Sequence, residues 1–537
     1  MILTPEQVTQ YVNSPKNEGL IQDSVERHKK LIMHVNGVGA QEAIVKLQGL
    51  ESEEEVSLRT MVARSNRATM STLIRPFDKI FSAQGGSVFY DTKDVNFSAY
   101  IGGLNGGIGL RKWLKNRWQN KFFTDPNGVV LIEVDTNGNA EPKYKSINAI
   151  HDYCYTGIKL DYIIFNGIAG EKFAAHVELP EGFEVNKDAK YYRLIDDEKD
   201  TYAEQEGEKV RVLEEFTIKN EWGYVPGVLN SDMLQPESSG KASPVEDIVD
   251  LADEYLRDTS IHTVYKALHS YPGFWAYLSE CTRCKGTGKI EGGTCPTCKG
   301  EGVDVKKDVS KIFAMEPPGE GEVSLAPPMG YVQPDIASWA EQRTELDWLQ
   351  KLMHFALWGT HTREQAANET ATGRFIDAQP VHDRLDDFAT TTESVEQALT
   401  DMIGEHMLVN YGGSSVAYGR RYLIETPETI WKRYEEARKE GAPRSTLDYL
   451  LLQFYESEFQ HQPTQLEVYK KIMGVEPFIH LSESDAIALP IADQDKSTKI
   501  YFNEWRKTKT DGEIIMKTVE QLTAELTTFV TTKAVKT

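Results

Sequence analysis

Read for hydrophobic spacing, the N-terminal part of the chain is helical. Thr4-Pro5-Glu6-Gln7 is a helix start, in which Thr4 can cap, Pro5 suits the first turn and Gln7 can close the capping box. A second helix is expected from about Ser24 to the Asn36-Gly37 stop. A third is expected from Ser52-Glu53-Glu54-Glu55, whose acids sit well against the helix dipole, towards Pro76. Glycines break the chain at Gly85-Gly86. After Gly102-Gly103 and Gly106-Gly107, the residues Leu110, Trp113, Leu114, Arg117, Trp118 and Phe122 fall at helical spacing, with the rings on one face and Arg111, Lys112 and Lys115 on the other. An amphipathic helix packed by its tryptophans is the simpler reading; stacking on nucleic acid is the functional one.

From Asp125-Pro126-Asn127-Gly128 the pattern turns to strands. Val129 to Val134 lies between that turn and Asn137-Gly138, and Tyr191 to Ile195, Thr201 to Ala203 and Val210 to Ile218 read as meander strands. They close on Trp222-Gly223-Tyr224-Val225-Pro226, giving an antiparallel α+β domain. Ser243-Pro244-Val245-Glu246 then opens a long helix marked by Ile248, Val249, Ala252, Tyr255, Leu256, Val264 and Leu268. A second long helix starts near Pro334-Asp335, with Ile336, Trp339, Leu346, Leu349, Met353 and Ala356 on its face. Gly359-Thr360 ends it, and a polar loop crosses to Glu369-Thr370-Ala371-Thr372-Gly373. A further helix is expected from about Phe375 to Leu408, kinked at Pro380. Helices recur around Pro427 to Lys439, Ser445 to Phe459 and Pro463 to Met473. The C-terminal stretch mixes a short apolar strand, a Thr-rich helix (Val519 to Val530) and a polar tail.

Composition narrows the function more than the fold. The chain has 537 residues, 40% of them hydrophobic, enough for large cores. Its 82 acidic and 59 basic residues give a net charge of −23, which argues against a surface that coats itself with nucleic acid. Met1-Ile2-Leu3 runs straight into polar sequence and no apolar run reaches membrane-spanning length, so a soluble chain made in the cytoplasm, with no membrane partner, is expected.

Four of the five cysteines lie in Cys281 to Gly302, where C-x-x-C-x-G-x-G occurs twice: Cys281, Cys284, Gly286, Gly288, then Cys295, Cys298, Gly300, Gly302. Two such knuckles complete a tetrahedral thiolate site for Zn2+, one ion per subunit, and the glycines let the backbone turn through positive φ. With every position taken by protein sulfur, the ion is structural. Disulfides are the competing pairing, disfavoured because a C-x-x-C pair closes a very tight loop and no secretory signal is seen. The repeat resembles the cysteine-rich region of the DnaJ co-chaperones, with two of that family's four repeats. Cys154, in His151-Asp152-Tyr153-Cys154-Tyr155, reads as core.

Catalytic motifs are not found. Gly286-Thr287-Gly288-Lys289 lacks a P-loop's first glycine, since position 283 is Arg, and Ile290 stands where a Ser or Thr would reach magnesium. Gly102 to Gly109 lacks the dinucleotide-binding order. The acidic pairs Asp386-Asp387 and Asp196-Asp197 read as solvated helix face and turn. The chain is therefore expected not to be an enzyme.

Taken in order, these parts resemble a tailed-bacteriophage portal protein, the head-to-tail connector. The marks are the N-terminal helices, the Trp-rich helix before Asp125-Pro126-Asn127-Gly128, the meander closing on Gly223-Tyr224-Val225-Pro226, Lys241-Ala242-Ser243-Pro244 opening a helix, and the Glu369-Thr370-Ala371-Thr372-Gly373 loop. The resemblance implies a predominantly helical α+β fold divided into wing, stem, clip and crown. Residues 1–80 and 81–242 would form the wing, 243–270 and 334–359 the two stem helices, 271–333 the clip with the zinc knuckle at 281–302, and 360–374 the tunnel loop. Residues 375–410 would be the long kinked wing helix, 411–482 a helical crown and 483–537 a tail region. It further implies a homo-oligomeric ring, usually of twelve subunits, in the virion at one capsid vertex, made in the host bacterial cytoplasm. Double-stranded DNA would pass through without sequence specificity during packaging and ejection. The large terminase subunit, which carries the ATPase, and then the neck or adaptor protein would dock on the clip. The major capsid and scaffolding proteins would be its neighbours. Glu341, Glu345, Asp347 and Glu369 are candidates to face the channel, where carboxylates would repel phosphate. The knuckle departs from the family, whose clips commonly lack metal. Two competing readings are a zinc-dependent chaperone or adaptor related to DnaJ, for which the His-Pro-Asp of a J-domain is missing, and another structural virion protein.

Overall fold

The structure is a computed structural model that describes residues 1–47, 51–83, 85–180, 182–236, 238–269, 273–277, 280–302, 312–315, 329–332, 336–360, 371–420, 422, 427–459, 462–488, 490 and 493–534. It is mixed α/β, with 54% helix. Two compact units divide it: residues 1–82 with 86–418, and residues 83–85 with 419–537.

The first unit begins with α1 (Pro5–Asn13), α2 (Glu18–Asn36), α3 (Glu53–Val62), α4 (Arg67–Ile74), β1 (Ser87–Tyr90), α5 (Phe97–Gly107), α6 (Leu110–Trp113) and α7 (Gln119–Thr124). The sheet strands follow: β2 (Val129–Val134), β3 (Ala140–Lys145), β4 (Ile150–Thr156), β5 (Lys159–Phe165), β6 (Ile168–Ala169), then α8 (Gly170–His176), β7 (Lys190–Ile195), β8 (Lys199–Glu206), β9 (Lys209–Lys219) and β10 (Gly227–Leu229). After these come α9 (Val249–His269), β11 (Gly273–Tyr277), β12 (Lys289–Ile290), β13 (Gly293–Thr294), β14 (Ile312–Met315), β15 (Met329–Val332), α10 (Ile336–Trp358), α11 (Ala371–Met407) and β16 (Ser414–Ala417).

Strand order in the large sheet is β3-β2-β10-β5-β7-β8-β9, with β4 also on β5 and β6 on β7, and every pairing is antiparallel. The period of two along a strand decides which face each residue serves. Ile163 joins Val129, Leu131, Ile150 and Leu229 around Ile21 of α2, while its neighbours Tyr162 and Ile164 join Tyr192 and Leu194 beneath Val8, Tyr11 and Val12 of α1. Both faces are thus covered by the N-terminal helices. The expected caps form. Thr4 and Gln7 make a reciprocal capping box, as do Ser243 and Glu246, and Gly37 ends α2 at φ 76°.

Ser243 opens a short 3-10 turn, Pro244–Ile248, that runs into α9. α9 and α10 lie antiparallel, since Tyr255 meets Gln350 in a 2.5 Å hydrogen bond while His262, further on, stacks on the earlier Trp339. The far end of α10 is anchored by rings. Trp358 donates its indole N–H to Leu73 O (3.0 Å) and packs at a tilt against Phe77, and Phe77 meets Phe388 of α11, which also touches Trp118, Phe122 and Phe123. Between the two helices, β14-β11-β15 form a small sheet, parallel on one side of β11 and antiparallel on the other.

Several expectations change. The third helix does not run on to Pro76: it ends at Val62 and restarts at Arg67. At the break, buried Asn66 donates its side-chain amide to Ala252 O (2.6 Å) of α9. α2 starts at Glu18 rather than Ser24. α11 starts at Ala371, so the end of the expected loop is helical, and Pro380 sits inside the helix. Asp196 is not solvated. It is buried and accepts from the N–H groups of Leu3, Glu198 and Lys199.

The second unit holds α12 (Pro427–Lys439), α13 (Arg444–Glu458), α14 (Pro463–Val475), α15 (Glu483–Ala488), α16 (Asp493–Lys507), α17 (Asp511–Met516) and α18 (Val519–Ala534). No strand occurs among its described residues after 482, where a short apolar strand was expected. Ile514 instead lies in a helix capped by Thr510 and Glu513, and joins Val468, Ile472, Phe502, Trp505, Leu522 and Leu526 in one core.

Candidate metal centre

The repeat of fourteen positions in sequence becomes a pseudo-twofold in space. Cys281 N–H donates to Gly302 O and Cys295 N–H to Gly288 O, both at 2.9 Å, so each half closes on the end of the other. Lys285 and Gly286 take left-handed conformations (φ 50° and 81°), and Lys299 and Gly300 repeat them (φ 53° and 95°). Side chains at Gly288 or Gly302 would have no room. A Cβ on Gly288 would stand 2.4 Å from Gly300 O, and one on Gly302 would stand 2.5 Å from Gly286 O. The glycines therefore serve close approach of the two halves as well as positive φ. β12 and β13 tie the halves through a tight turn at Glu291-Gly292 (φ 49° and 84°).

This frame brings Cys281, Cys284, Cys295 and Cys298 together, buried, with their sulfurs all within 4.8 Å of one another. Sγ–Sγ distances are 3.9 Å for Cys281–Cys295 and 3.5 Å for Cys284–Cys298. None of the four is in a disulfide. Metal–sulfur bonds of about 2.3 Å at tetrahedral angles put sulfurs about 3.8 Å apart, so the donor set fits a metal ion. Gly302 N–H donates to Cys298 Sγ (3.3 Å), the kind of bond that stabilises a thiolate ligand. The backbone N–H groups of Cys298 and Thr297 pull the Cys295 thiol down to about 6, while burial and the Cys298 sulfur push Cys284 up to about 11.

Comparisons with known proteins give no family. No protein-family model matches the chain, and no curated protein matches it. Among solved structures, a chain of the "Virion of native gene transfer agent (GTA) particle" matches at 10% identity over 76% of this chain and 95% of that chain, with a TM-score of 0.35. So distant a likeness carries no argument about function.

The other expected site residues are not gathered in one place. Glu341 and Glu345 are exposed one turn apart on α10. Asp347 is exposed on another side of that helix, where it lines a groove with Thr69 and Thr72 of α4 and with Lys351 and His354. Glu369 lies outside the described residues. Cys154 is partly buried against the core beneath α1, with its thiol pushed up by burial. Trp113 and Trp118 are buried, so packing, not base stacking, is what they do. Sequence reading missed the cluster of Arg111, Glu396 and Tyr418. The guanidinium lies 4.3 Å over the Tyr418 ring and 3.3 Å from Glu396, whose carboxyl burial raises. No local signal could have joined residues so far apart in the chain.

Proposed function

We propose that this chain is a portal-like virion protein, forming a ring at a capsid vertex through which double-stranded DNA is packaged and ejected. The observation that supports the reading is the antiparallel pair α9 and α10, with a segment between them in the chain whose four cysteines lie close enough to hold a metal ion. In the ring, taken as a dodecamer, the pair is the stem and the tip is the clip, where the large terminase subunit and then the neck or adaptor protein dock. Major capsid and scaffolding proteins would surround it. The exposed Glu341 and Glu345 would face the channel, where like charge keeps phosphate from adhering. The chain has no catalytic role in this reading, which leaves the ATPase to its partner.

The ion is Zn2+, one per subunit, because four thiolates at tetrahedral spacing leave no position for water or substrate. Cys281, Cys284, Cys295 and Cys298 would hold it, and its role is to stabilise a tip that has little other core. Negative-stain imaging and mass photometry of the purified chain test the reading: closed rings support it, and a monodisperse monomer overturns it. A DnaJ-related chaperone would instead be a non-ring species that binds unfolded client peptide.

A further inference from the structure

The segment Leu110–Thr124, running α6, a π-helical turn (Leu114–Trp118) and α7, carries Arg111, Lys112, Lys115, Arg117 and Lys121 and no carboxylate, within a chain of net charge −23. Its rings are taken up by the core, and of its cations Arg111 is tied to buried Glu396 and Tyr418 and Lys121 lies over Tyr144. At about 100° per residue, Arg111, Lys112 and Lys115 share one side of the helix and Arg117 and Lys121 the other.

Each side borders a groove. The first, of about 650 Å³, is lined by Arg111, Lys112, Lys115 and Glu396; the second, of about 540 Å³, by Arg117, Lys121, Lys143 and Glu141. Each thus sets three cations against one carboxylate, and both carboxylates are paired, Glu396 with Arg111 (3.3 Å) and Glu141 with Lys143 (2.7 Å). Lys121 lies over the Tyr144 ring. Lys112, Lys115 and Arg117 make no ion pair among the described residues, and Lys112 and Arg117 are exposed. Arg111 Nη2 is buried in the first groove without a partner.

The two grooves meet at the glycine-rich turn, where Ile108 lines both. Gly102, Gly103, Gly106 and Gly107 leave the rim low, with open space where a Cβ would stand.

We propose that this track is a docking surface for the phosphate backbone of double-stranded nucleic acid, independent of base sequence. Ten residues of helix span about 15 Å, over which a duplex presents a phosphate about every 1.7 Å of axis. With the tryptophans buried there is no platform for bases, so contact is to backbone. At a Debye length of about 10 Å, acids further than that from the track are largely screened from a bound duplex. The surface belongs to the single subunit, so it stands or falls apart from ring formation.

Fluorescence anisotropy of a short labelled duplex against the full chain tests it across a low-salt series. Three free cations predict a log–log salt slope of about −3. Lys112→Ala/Lys115→Ala/Arg117→Ala should flatten that slope and weaken binding at least about tenfold at low salt, with melting temperature unchanged. Lys209→Ala/Lys219→Ala, on exposed positions of β9, should leave both as they were. Absence of duplex binding at low salt, or a slope the triple variant does not alter, would overturn the proposal. So would polyglutamate binding competitive at equal charge, which would make the occupant an acidic protein, or tighter binding to anionic vesicles, which would make it a membrane.

Discussion

The knuckle and the large sheet close a chain on itself by opposite means. Around the sheet, two faces of Ile, Val, Leu and Tyr pack against α1 and α2, and many buried side chains share the load. Around the cysteines, the buried cluster is four thiols with Ile290 against it. A structure with so little apolar surface to remove from water cannot offset its chain entropy by burial alone. The difference teaches where stability is concentrated: in the sheet it is spread over many side chains, and in the knuckle it would rest on the one metal ion that four close thiols can hold.

That contrast is easiest to break at the metal. Chelation, or Cys281→Ser, should abolish ordered structure in residues 280–302, since structural zinc contributes on the order of 10 kcal/mol to so small a fold. Hydrogen exchange should show protection lost there and kept in β2, β5 and β7; loss spreading into the sheet would show that the two regions are one cooperative unit. The reverse experiment removes a ring from the body. Phe388→Ala empties the centre of the aromatic cluster and should cost about 3–5 kcal/mol, read as a lower denaturant midpoint at unchanged metal stoichiometry.

Gly302→Ala sharpens the comparison, because it removes no ligand and yet forces a methyl within 2.5 Å of Gly286 O at φ 77°. Backbone strain of about 1–3 kcal/mol should appear as roughly ten- to a hundredfold weaker metal binding in competition with a chromogenic chelator, while the body melts normally. The smallest effect is that of pH. Near neutrality Cys295, with its pKa lowered to about 6, is already thiolate, whereas Cys284, raised to about 11, must lose a proton to bind. Metal binding therefore releases protons, and affinity should rise with pH between 6 and 11. Below pH 6 Cys295 is protonated too and the dependence steepens, about one extra tenfold per unit. The sheet should show no matching rise: its Tyr162–Asp152 and Tyr191–Glu204 hydrogen bonds hold tyrosines protonated, with pKa values raised by burial, so its stability should fall at the alkaline end instead.

Legibility in the sequence followed the same divide. The knuckle could be read residue by residue, because its ligands, turns and glycines lie within one short repeat. Helix starts at Thr4, Ser243 and Pro427 and the strand Val129–Val134 were equally local. What sequence reading missed was decided at a distance. The break after Val62 serves Asn66 and its bond to Ala252. The helical start of α11 at Ala371 and the burial of Asp196 under Leu3 were likewise invisible. The short apolar strand expected in the C-terminal stretch is not found among the described residues, where Ile514 lies in a helix with a capping box and a packed core.

By itself the sequence determined the caps, the alternation of β2, the twin knuckles and the acidic balance, because each depends on neighbours within a turn or two. Only the tertiary structure decided that Trp113 and Trp118 are buried while Lys112, Lys115 and Arg117 make no ion pair among the described residues, and that α9 and α10 run antiparallel. The physical reason is one of range. Local hydrogen bonds and φ preferences are written in adjacent residues, whereas burial and charge pairing depend on partners that folding brings from hundreds of positions away, as Arg111 and Glu396 show.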